Sequence, residues 1–247
     1  RVRALPGGFR ENGRMEHAGP VPSERRDDGA VEQAARALLP YPLKRIGPAR
    51  QVVIVTSRTW TSTIAELRAY QDGDHGWRLV LGPVQARTGR TGMIPARRRV
   101  QGSGTTPAGT FTLTMAFGLE ADPGTRLPYT HVVSQDHWWV ADPMSPHYNT
   151  LRAGERGGFH PTEAGRRASE RIVSHRAEYP YAIVVDFNRP APTRTMGSGI
   201  FLRATTGFST DGSVALDREP LLELLCWLDP DLHPVVVIAP ERAVAEA

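Results

Sequence analysis

Glycine and proline are the residues that most constrain how this chain can fold. The 247 residues include 24 Gly and 21 Pro, and both residue types interrupt regular elements or set the geometry of turns. A helical bundle or a coiled coil needs long uninterrupted helices, so this frequency argues against both. We therefore expect many short elements joined by turns.

Short runs rich in β-branched residues lie between these turns and are typical of buried strands. The densest are residues 51–56 (QVVIVT) and 182–187 (AIVVDF). Residues 63–70 fit either a strand or a helical turn. Further strands are predicted at residues 77–81, 109–117, 138–140, 199–202 and 235–238.

Helices are expected in only three places. Residues 30–39 place Val31, Ala34 and Leu38 on one face. Residues 163–175 give the clearest helical pattern, and residues 220–228 begin with a proline, which suits a first helical turn. Strands outnumber helices and no repeat of 20–50 residues is found, which predicts a mainly β fold with two or three short helices.

Composition divides the chain into three parts. Residues 1–30 mix charged residues with Gly and Pro and have no apolar periodicity, so we predict a flexible arm there. One domain is predicted over residues 39–240 and a short C-terminal tail over 241–247. The chain begins at Arg1 without an apolar signal segment, so we expect a processed chain or a fragment. No apolar run approaches the roughly 20 residues that cross a bilayer, which predicts no transmembrane segment.

The chain has a single cysteine, which excludes a disulfide framework and any multi-cysteine zinc or iron–sulfur site. Cys226 lies in an apolar helical segment (LLCWL), so we predict that it belongs to the core and is not a nucleophile. The eight histidines show no HExxH or similar ligand spacing. His131, His137, His147 and His160 are predicted to lie in loops. We expect neither a metal nor another cofactor.

The basic charge favours anionic partners without choosing among them. The net charge is +4 and the pI is near 9.6, which suits either nucleic acid or an anionic wall polymer. The strongest basic run is Arg97, Arg98 and Arg99. No aromatic residues interleave with it as a binder of single strands requires, so we interpret it as a solvated turn, with an anionic-ligand patch as the alternative. We predict no nucleic-acid partner.

Three segments in a fixed order carry a family resemblance. The first is GSGTTPAGTF at residues 102–111, a glycine-rich turn that leads into a strand. The second is WWVADP at residues 138–143, with Ser145, Pro146, Tyr148 and Asn149 just after it. The third is GSGIFL at residues 197–202, followed by TDGSVA at 210–215 and WLDP at 227–230. Together they resemble the L,D-transpeptidase catalytic-domain family, also called YkuD-like, and most closely its actinobacterial secreted branch, over about residues 39–239.

This resemblance implies a β-sandwich-like catalytic domain that acts on peptidoglycan stem peptides, secreted or in the cell envelope of a bacterium. Family members attack a peptide carbonyl with a cysteine thiolate, form a thioester and pass the acyl group to an acceptor amine. A histidine at a strand end accepts the thiol proton. Backbone N–H groups beside the cysteine stabilise the oxyanion.

Two reactive positions depart from the family pattern. Arg203 stands where the branch has histidine, and Ser213 stands where it has cysteine, at the same ten-residue separation. A serine hydroxyl is a weaker nucleophile than a thiolate and needs an adjacent base. Arginine cannot be that base because its guanidinium stays protonated. Both changes together predict little or no acyl-transfer turnover.

The resemblance assigns the nucleophile, base and oxyanion positions to Ser213, Arg203 and Gly212. It also implies four residues of the substrate groove: Thr210, Asp211, Tyr148 and Asn149. For Tyr148 and Asn149, packing of the loop is the alternative interpretation.

Two functions remain open from the sequence. One is a binding or regulatory module for peptidoglycan stem peptides, in which Arg203 pairs with their carboxylates; an active paralogue is a further candidate partner. The other is a serine-based acyltransferase or hydrolase in which a loop histidine, His131 or His160, acts as the base for Ser213.

Overall fold

The structure is a computed structural model that describes residues 38–247. The arm predicted at residues 1–30 and most of the helix predicted at 30–39 lie outside the described residues. The described part is mainly β, which confirms the predicted fold class. Its strands are β1 Gln51–Ser57, β2 Ile64–Gly73, β3 Gly76–Arg87, β4 Met93–Pro95, β5 Thr106–Gly118, β6 Tyr129–His131, β7 His137–Trp139, β8 Leu151–Ala153, β9 Glu170–Arg171, β10 Ala182–Val185, β11 Phe201–Ala204, β12 Val214–Leu216 and β13 Val235–Pro240.

Eight of these strands form a sheet that closes on itself. The hydrogen-bonded order is β10-β11-β12-β3-β2-β1-β13-β5, and β5 also pairs with β10. The long strand β5 makes this closure possible because its first half pairs with β13 and its second half with β10. The closed ladder satisfies the backbone groups that an open edge would expose. Strands β4 and β6 pair with β5 outside the ring, and β8-β7-β9 form a separate sheet.

The core explains the dense apolar runs. In β1, Val53 and Val55 face one apolar cluster while Val52 and Ile54 face another, so this strand is buried on both sides. Strand β11 shows the alternation that positions the candidate site. Leu202 packs in the first cluster, whereas Phe201 packs on the opposite face with Phe117, Trp139 and Tyr179.

Of the two helices predicted entirely within the described residues, one is confirmed and one is wrong. The helix predicted at 220–228 is confirmed as helix α1, Arg218–Trp227. The helix predicted at 163–175 is wrong. That segment contains turns, strand β9 and a 3-10 turn at Ile172–Ser174. Gly165 has φ +80°, a conformation that interrupts a helix, and Glu170 pairs with Trp139 of β7.

The C-terminal residues are part of the packed structure. Residues 241–247 include a 3-10 helix at Glu241–Glu246, and Val244 is buried in the cluster that contains Val52. Other 3-10 turns lie at Ala96–Arg98, Gly154–Arg156 and Pro230–Leu232. None of the helices between residues 38 and 247 has the length and apolar character needed to cross a membrane.

Candidate functional site

A tight turn at residues 210–213 leads into β12 and holds Ser213 in place. The hydroxyl of Thr210 accepts a hydrogen bond from the Gly212 N–H at 3.0 Å and donates to the Ser213 carbonyl oxygen at 2.6 Å. The Thr210 backbone bonds to Thr88 and to Arg90. Thr210 is buried and closes the turn. The family resemblance assigns the Gly212 N–H to an oxyanion, but here this N–H donates its hydrogen bond to the Thr210 hydroxyl.

The Ser213 side chain is bound to the backbone of the neighbouring segment. Its Oγ accepts a hydrogen bond from the Phe201 N–H at 3.1 Å and lies 3.4 Å from the Gly199 carbonyl oxygen, to which it donates. Ser213 is only 6% exposed. Within residues 38–247, neither His131 nor His160 hydrogen-bonds Ser213. The two histidines that could serve as its base are therefore not positioned to do so in this conformation.

Arg203 lies on the same strand face as Ser213 but does not bond to it. The register pairs Leu202 with Val214 and Arg203 with Ala215, so alternation turns Arg203 and Ser213 to one side of the parallel pair. The Arg203 guanidinium donates to the Ala204 carbonyl oxygen at 2.8 Å. The structure therefore brings the side chains of Arg203 and Ser213 to one face without a bond between them.

The charge of Arg203 acts on an acidic cluster. The hydroxyl of Tyr179 donates to Glu170 Oε1 at 2.5 Å, and His175 Nε2 lies 3.8 Å from the same oxygen. Burial raises the pKa of Glu170 and of Tyr179, and Arg203 opposes both shifts. The sequence did not reveal this cluster, because residues 163–175 were predicted to form a helix.

Arg99 corrects the prediction of a solvated basic turn. Arg97 and Arg98 are exposed, but Arg99 is only 4% exposed. Its Nε donates to the Thr105 carbonyl oxygen at 2.8 Å and its Nη1 to the Met196 carbonyl oxygen at 2.9 Å. Backbone carbonyls that converge from segments distant in sequence solvate this charge, and no local pattern in the sequence signals that convergence.

Arg99 places a positive charge directly beneath the Ser213 turn. Its Nη2 lies 3.4 Å from the Asp211 carbonyl oxygen, and its guanidinium stacks over the Phe187 ring at 5.5 Å. A β-carbon on Gly212 would lie 2.8 Å from Nη2. Burial lowers the pKa of Arg99 from its ordinary value, yet arginine remains charged at neutral pH.

Asp211 is the exposed member of the turn. Its side chain is 88% exposed and pairs with Arg90 at 2.9 Å. An ion pair this exposed contributes little to stability. Asp211 is thus the residue of the turn most accessible to a solvent-borne ligand.

Tyr148 and Asn149 are buried beneath the segment that precedes β11. The Tyr148 hydroxyl donates to Gln101 Oε1 at 2.5 Å, and burial raises its pKa. Asn149, with φ +65°, accepts hydrogen bonds at Oδ1 from the Trp139 indole and from the Gly199 N–H. These contacts are those of loop packing, and they fix the backbone to which Ser213 is bonded.

Cys226, His131 and His137 differ from their predicted places, whereas His147 and His160 lie in loops as predicted. Cys226 lies on α1 but is exposed, because Leu221, Leu224 and Leu225 form the buried face of that helix. The prediction that it is buried is therefore wrong. Desolvation, and secondly Asp122, raise the pKa of its thiol, which disfavours the thiolate. His131 ends β6 and His137 begins β7, so neither lies in a loop.

No group of three His, Cys, Asp or Glu side chains in the described part of the chain is arranged to hold a metal ion. Comparisons of the chain with models of protein families, with curated proteins and with solved structures found no match.

Proposed function

We propose that this chain is an L,D-transpeptidase-like domain of a bacterial envelope that binds peptidoglycan stem peptides and has little or no acyl-transfer turnover. The family assignment rests on the three sequence segments and on the mainly β fold. The observation that carries the loss of turnover is the bonding of Ser213, whose Oγ bonds to the backbone of Phe201 and Gly199.

A serine nucleophile needs a base within hydrogen-bond distance that can take its proton. Among the described residues, no side chain hydrogen-bonds the Ser213 hydroxyl. Arg203, at the position of the family histidine, has no acceptor atom and is engaged with the Ala204 carbonyl oxygen. Losing a general base costs about 10²–10⁴-fold in rate, and the exchange of the thiol for a hydroxyl adds to that loss.

The charges around the turn support a remaining binding function. Three guanidiniums surround it: Arg99 lies against Gly212, Arg90 pairs with Asp211, and Arg203 shares the Ser213 face. Stem peptides carry carboxylates, and charge-assisted bonds from arginine to carboxylate are among the strong polar contacts. Because Arg99 is buried and Arg90 is paired with Asp211, the guanidinium that a carboxylate of a peptide on this face would meet is that of Arg203.

Two measurements test the proposal together. The first is retention of the purified protein on insoluble peptidoglycan sacculi, and the second is intact mass after incubation with a tetrapeptide-stem donor or a carbapenem. We expect retention on the sacculi and no mass increase. An adduct on Ser213 would establish a serine acyl-enzyme instead, and failure to sediment with the sacculi would reject the binding function.

Replacing Ser213 by cysteine and Arg203 by histidine distinguishes a site that lacks only the reactive side chains from one whose groove no longer binds the donor. The double variant Ser213→Cys with Arg203→His should gain an adduct, while Ser213→Cys alone should gain it far more slowly because it lacks the base. Arg203→Ala should weaken retention on the sacculi, and Arg97→Ala, which removes an exposed guanidinium elsewhere, is the matched control. Equal retention of both alanine variants would contradict the role given to Arg203.

A further inference from the structure

A cavity of about 490 Å³ lies on one face of the neighbouring strands β1, β2 and β3, and its volume is in the range of small-ligand pockets. Thr56 lines it and follows Val55 in β1, so the cavity lies on the face opposite the core cluster of Val55. The loop after β1 and the start of the 3-10 helix at Glu241 form its rim. No residue of the Ser213 turn lines it, so a ligand there binds independently of the function proposed above.

A row of three polar side chains crosses the floor of this cavity. The strand register pairs Thr56 with Glu66 and Glu66 with Gln85, and all three residues line the cavity. Directly paired residues lie on the same face, and neighbouring strands are about 4.8 Å apart. A hydroxyl, a carboxylate and a carboxamide therefore follow one another over roughly 10 Å.

The hydroxyl of Thr56 has no partner. Thr56 is only 5% exposed, and its hydroxyl forms no hydrogen bond with any of residues 38–247. Buried polar groups nearly always have a partner in native structures. A ligand group that enters the cavity and bonds this hydroxyl would supply that partner.

The groups around the row demand both donors and acceptors from a ligand. Glu66 and Glu241 only accept hydrogen bonds, Arg58 only donates them, and Gln85 does both. Arg68, which pairs with Glu66, and Arg58 offset the two carboxylates. An anion cannot donate to the carboxylates and an ammonium group cannot accept from the guanidinium. A hydroxyl does both, so an uncharged ligand with several hydroxyls fits this lining.

Two further features narrow the class of ligand. Ile64 and Pro83 lie two residues before Glu66 and Gln85, so both present apolar surface beside the row, and Ile64 is 48% exposed. Strands β1 and β2 are each paired on both sides, so they have no free edge to which a peptide could add as a strand. Recognition here depends on side chains alone.

We propose that this cavity binds an uncharged oligosaccharide. Hydroxyls of the sugar bond Thr56, Glu66 and Gln85 in the row, and the C–H face of a ring packs on Ile64 and Pro83. Sugar rings combine such a C–H face with hydroxyls that both donate and accept, which is the combination that this lining requires.

The test uses cellotetraose, an uncharged tetramer of glucose, and follows its binding by amide chemical shifts in NMR titrations. We expect saturable shifts around the cavity with a Kd of about 1 mM or below. The decisive variant is Thr56→Val, which keeps the shape of the side chain and removes only a hydroxyl without a partner. It should leave the urea midpoint of unfolding undiminished but weaken binding about fivefold, as the loss of one hydrogen bond predicts.

Gln85→Ala should weaken binding by a similar factor, and it tests the row separately because Gln85 is exposed and its loss does not disturb the core. Arg78→Ala is the matched control, since Arg78 is exposed on the same strand and does not line the cavity. A blocked tetraalanine peptide should cause no shifts. Absence of shifts at about 10 mM cellotetraose, equal shifts with tetraalanine, or undiminished binding by folded Thr56→Val or Gln85→Ala would each overturn the proposal.

Discussion

The Oγ atom of Ser213 accepts a hydrogen bond from the backbone N–H of Phe201 at 3.1 Å. This bond joins the turn before β12 to the first residue of β11. Ser213 therefore has a structural role at the position where the family resemblance expects a nucleophile. The effect of removing this bond can be measured on the free energy of unfolding as well as on reactivity.

Ser213→Ala should destabilise the protein by about 1–3 kcal/mol, because it leaves the buried Phe201 N–H without its acceptor. The free energy of unfolding in urea measures this effect. Ser209→Ala is the matched control, since Ser209 is exposed in the same loop, and it should change stability by less than about 0.5 kcal/mol. Equal effects of the two substitutions would show that the Ser213 bond contributes nothing.

Gly212→Ala should destabilise the protein more than Gly207→Ala does. Both glycines have positive φ, +144° and +88°, so both substitutions strain the backbone by about 1–3 kcal/mol. Only the Gly212 β-carbon would also collide, at 2.8 Å from Arg99 Nη2 and 2.9 Å from the Thr105 carbonyl oxygen, whereas Gly207 has open space around it. The difference between the two unfolding free energies measures the cost of relieving the contacts with Arg99 and Thr105.

Arg99→Met should lower stability by about 2–4 kcal/mol. It keeps much of the side-chain volume but leaves the carbonyl oxygens of Thr105 and Met196 without their donor. Arg98→Met, at an exposed neighbouring position, should have an effect below about 0.5 kcal/mol. Thermal and urea unfolding measure both. A similar, small loss for the two variants would restore the interpretation of the basic run as a solvated turn.

The carboxylate of Asp142 should make stability depend on acid pH. Hydrogen bonds from the Arg167 guanidinium, and from the backbone of Met144 and His160, hold the pKa of Asp142 below its ordinary value of 3.8. A lowered folded-state pKa contributes stability that is fully present well above 3.8 and is lost as the pH falls through the lowered value.

Asp142→Asn should therefore destabilise the protein at pH 7, and the difference from the unmodified protein should shrink as the pH falls below about 4. Urea unfolding at a series of pH values measures this change. The exposed Asp74→Asn is the control and should differ from the unmodified protein by less than about 0.5 kcal/mol throughout. A constant difference for Asp142→Asn between pH 7 and pH 3 would contradict the role of its ionised form.

The strands with a dense apolar run were predictable because their signal is local, whereas β4, β6, β8, β9 and β12, with only two or three residues each, were not predicted. Residues 52–55 are buried on both faces of the sheet and are therefore apolar at every position, as β1 shows. The helix at 220–228 was also predictable, from its starting proline and its apolar positions. The helix expected at 163–175 failed because pairing of Glu170 with β7 and the positive φ of Gly165 override a weak local preference.

The candidate site was predictable only as a set of positions. The order of the motifs indicated Ser213, Arg203 and Gly212, but no motif indicated what their side chains contact. The acidic cluster of Glu170 and Tyr179 remained hidden for the same reason. The prediction that Cys226 is buried failed because an apolar helical segment still has one face exposed to solvent.

The sequence by itself determined that Arg203 and Ser213, and so neither an imidazole nor a thiol, stand where the family resemblance expects histidine and cysteine, because that is a matter of side-chain identity. Only the tertiary structure decided that Ser213 bonds to the backbone of Phe201 and that Arg99 is buried beneath it. Arg99 bonds to Met196 across 97 residues and to Asp211 across 112. Such contacts form when the sheet closes, and they depend on the sum of many distant pairings that no local stretch of sequence contains.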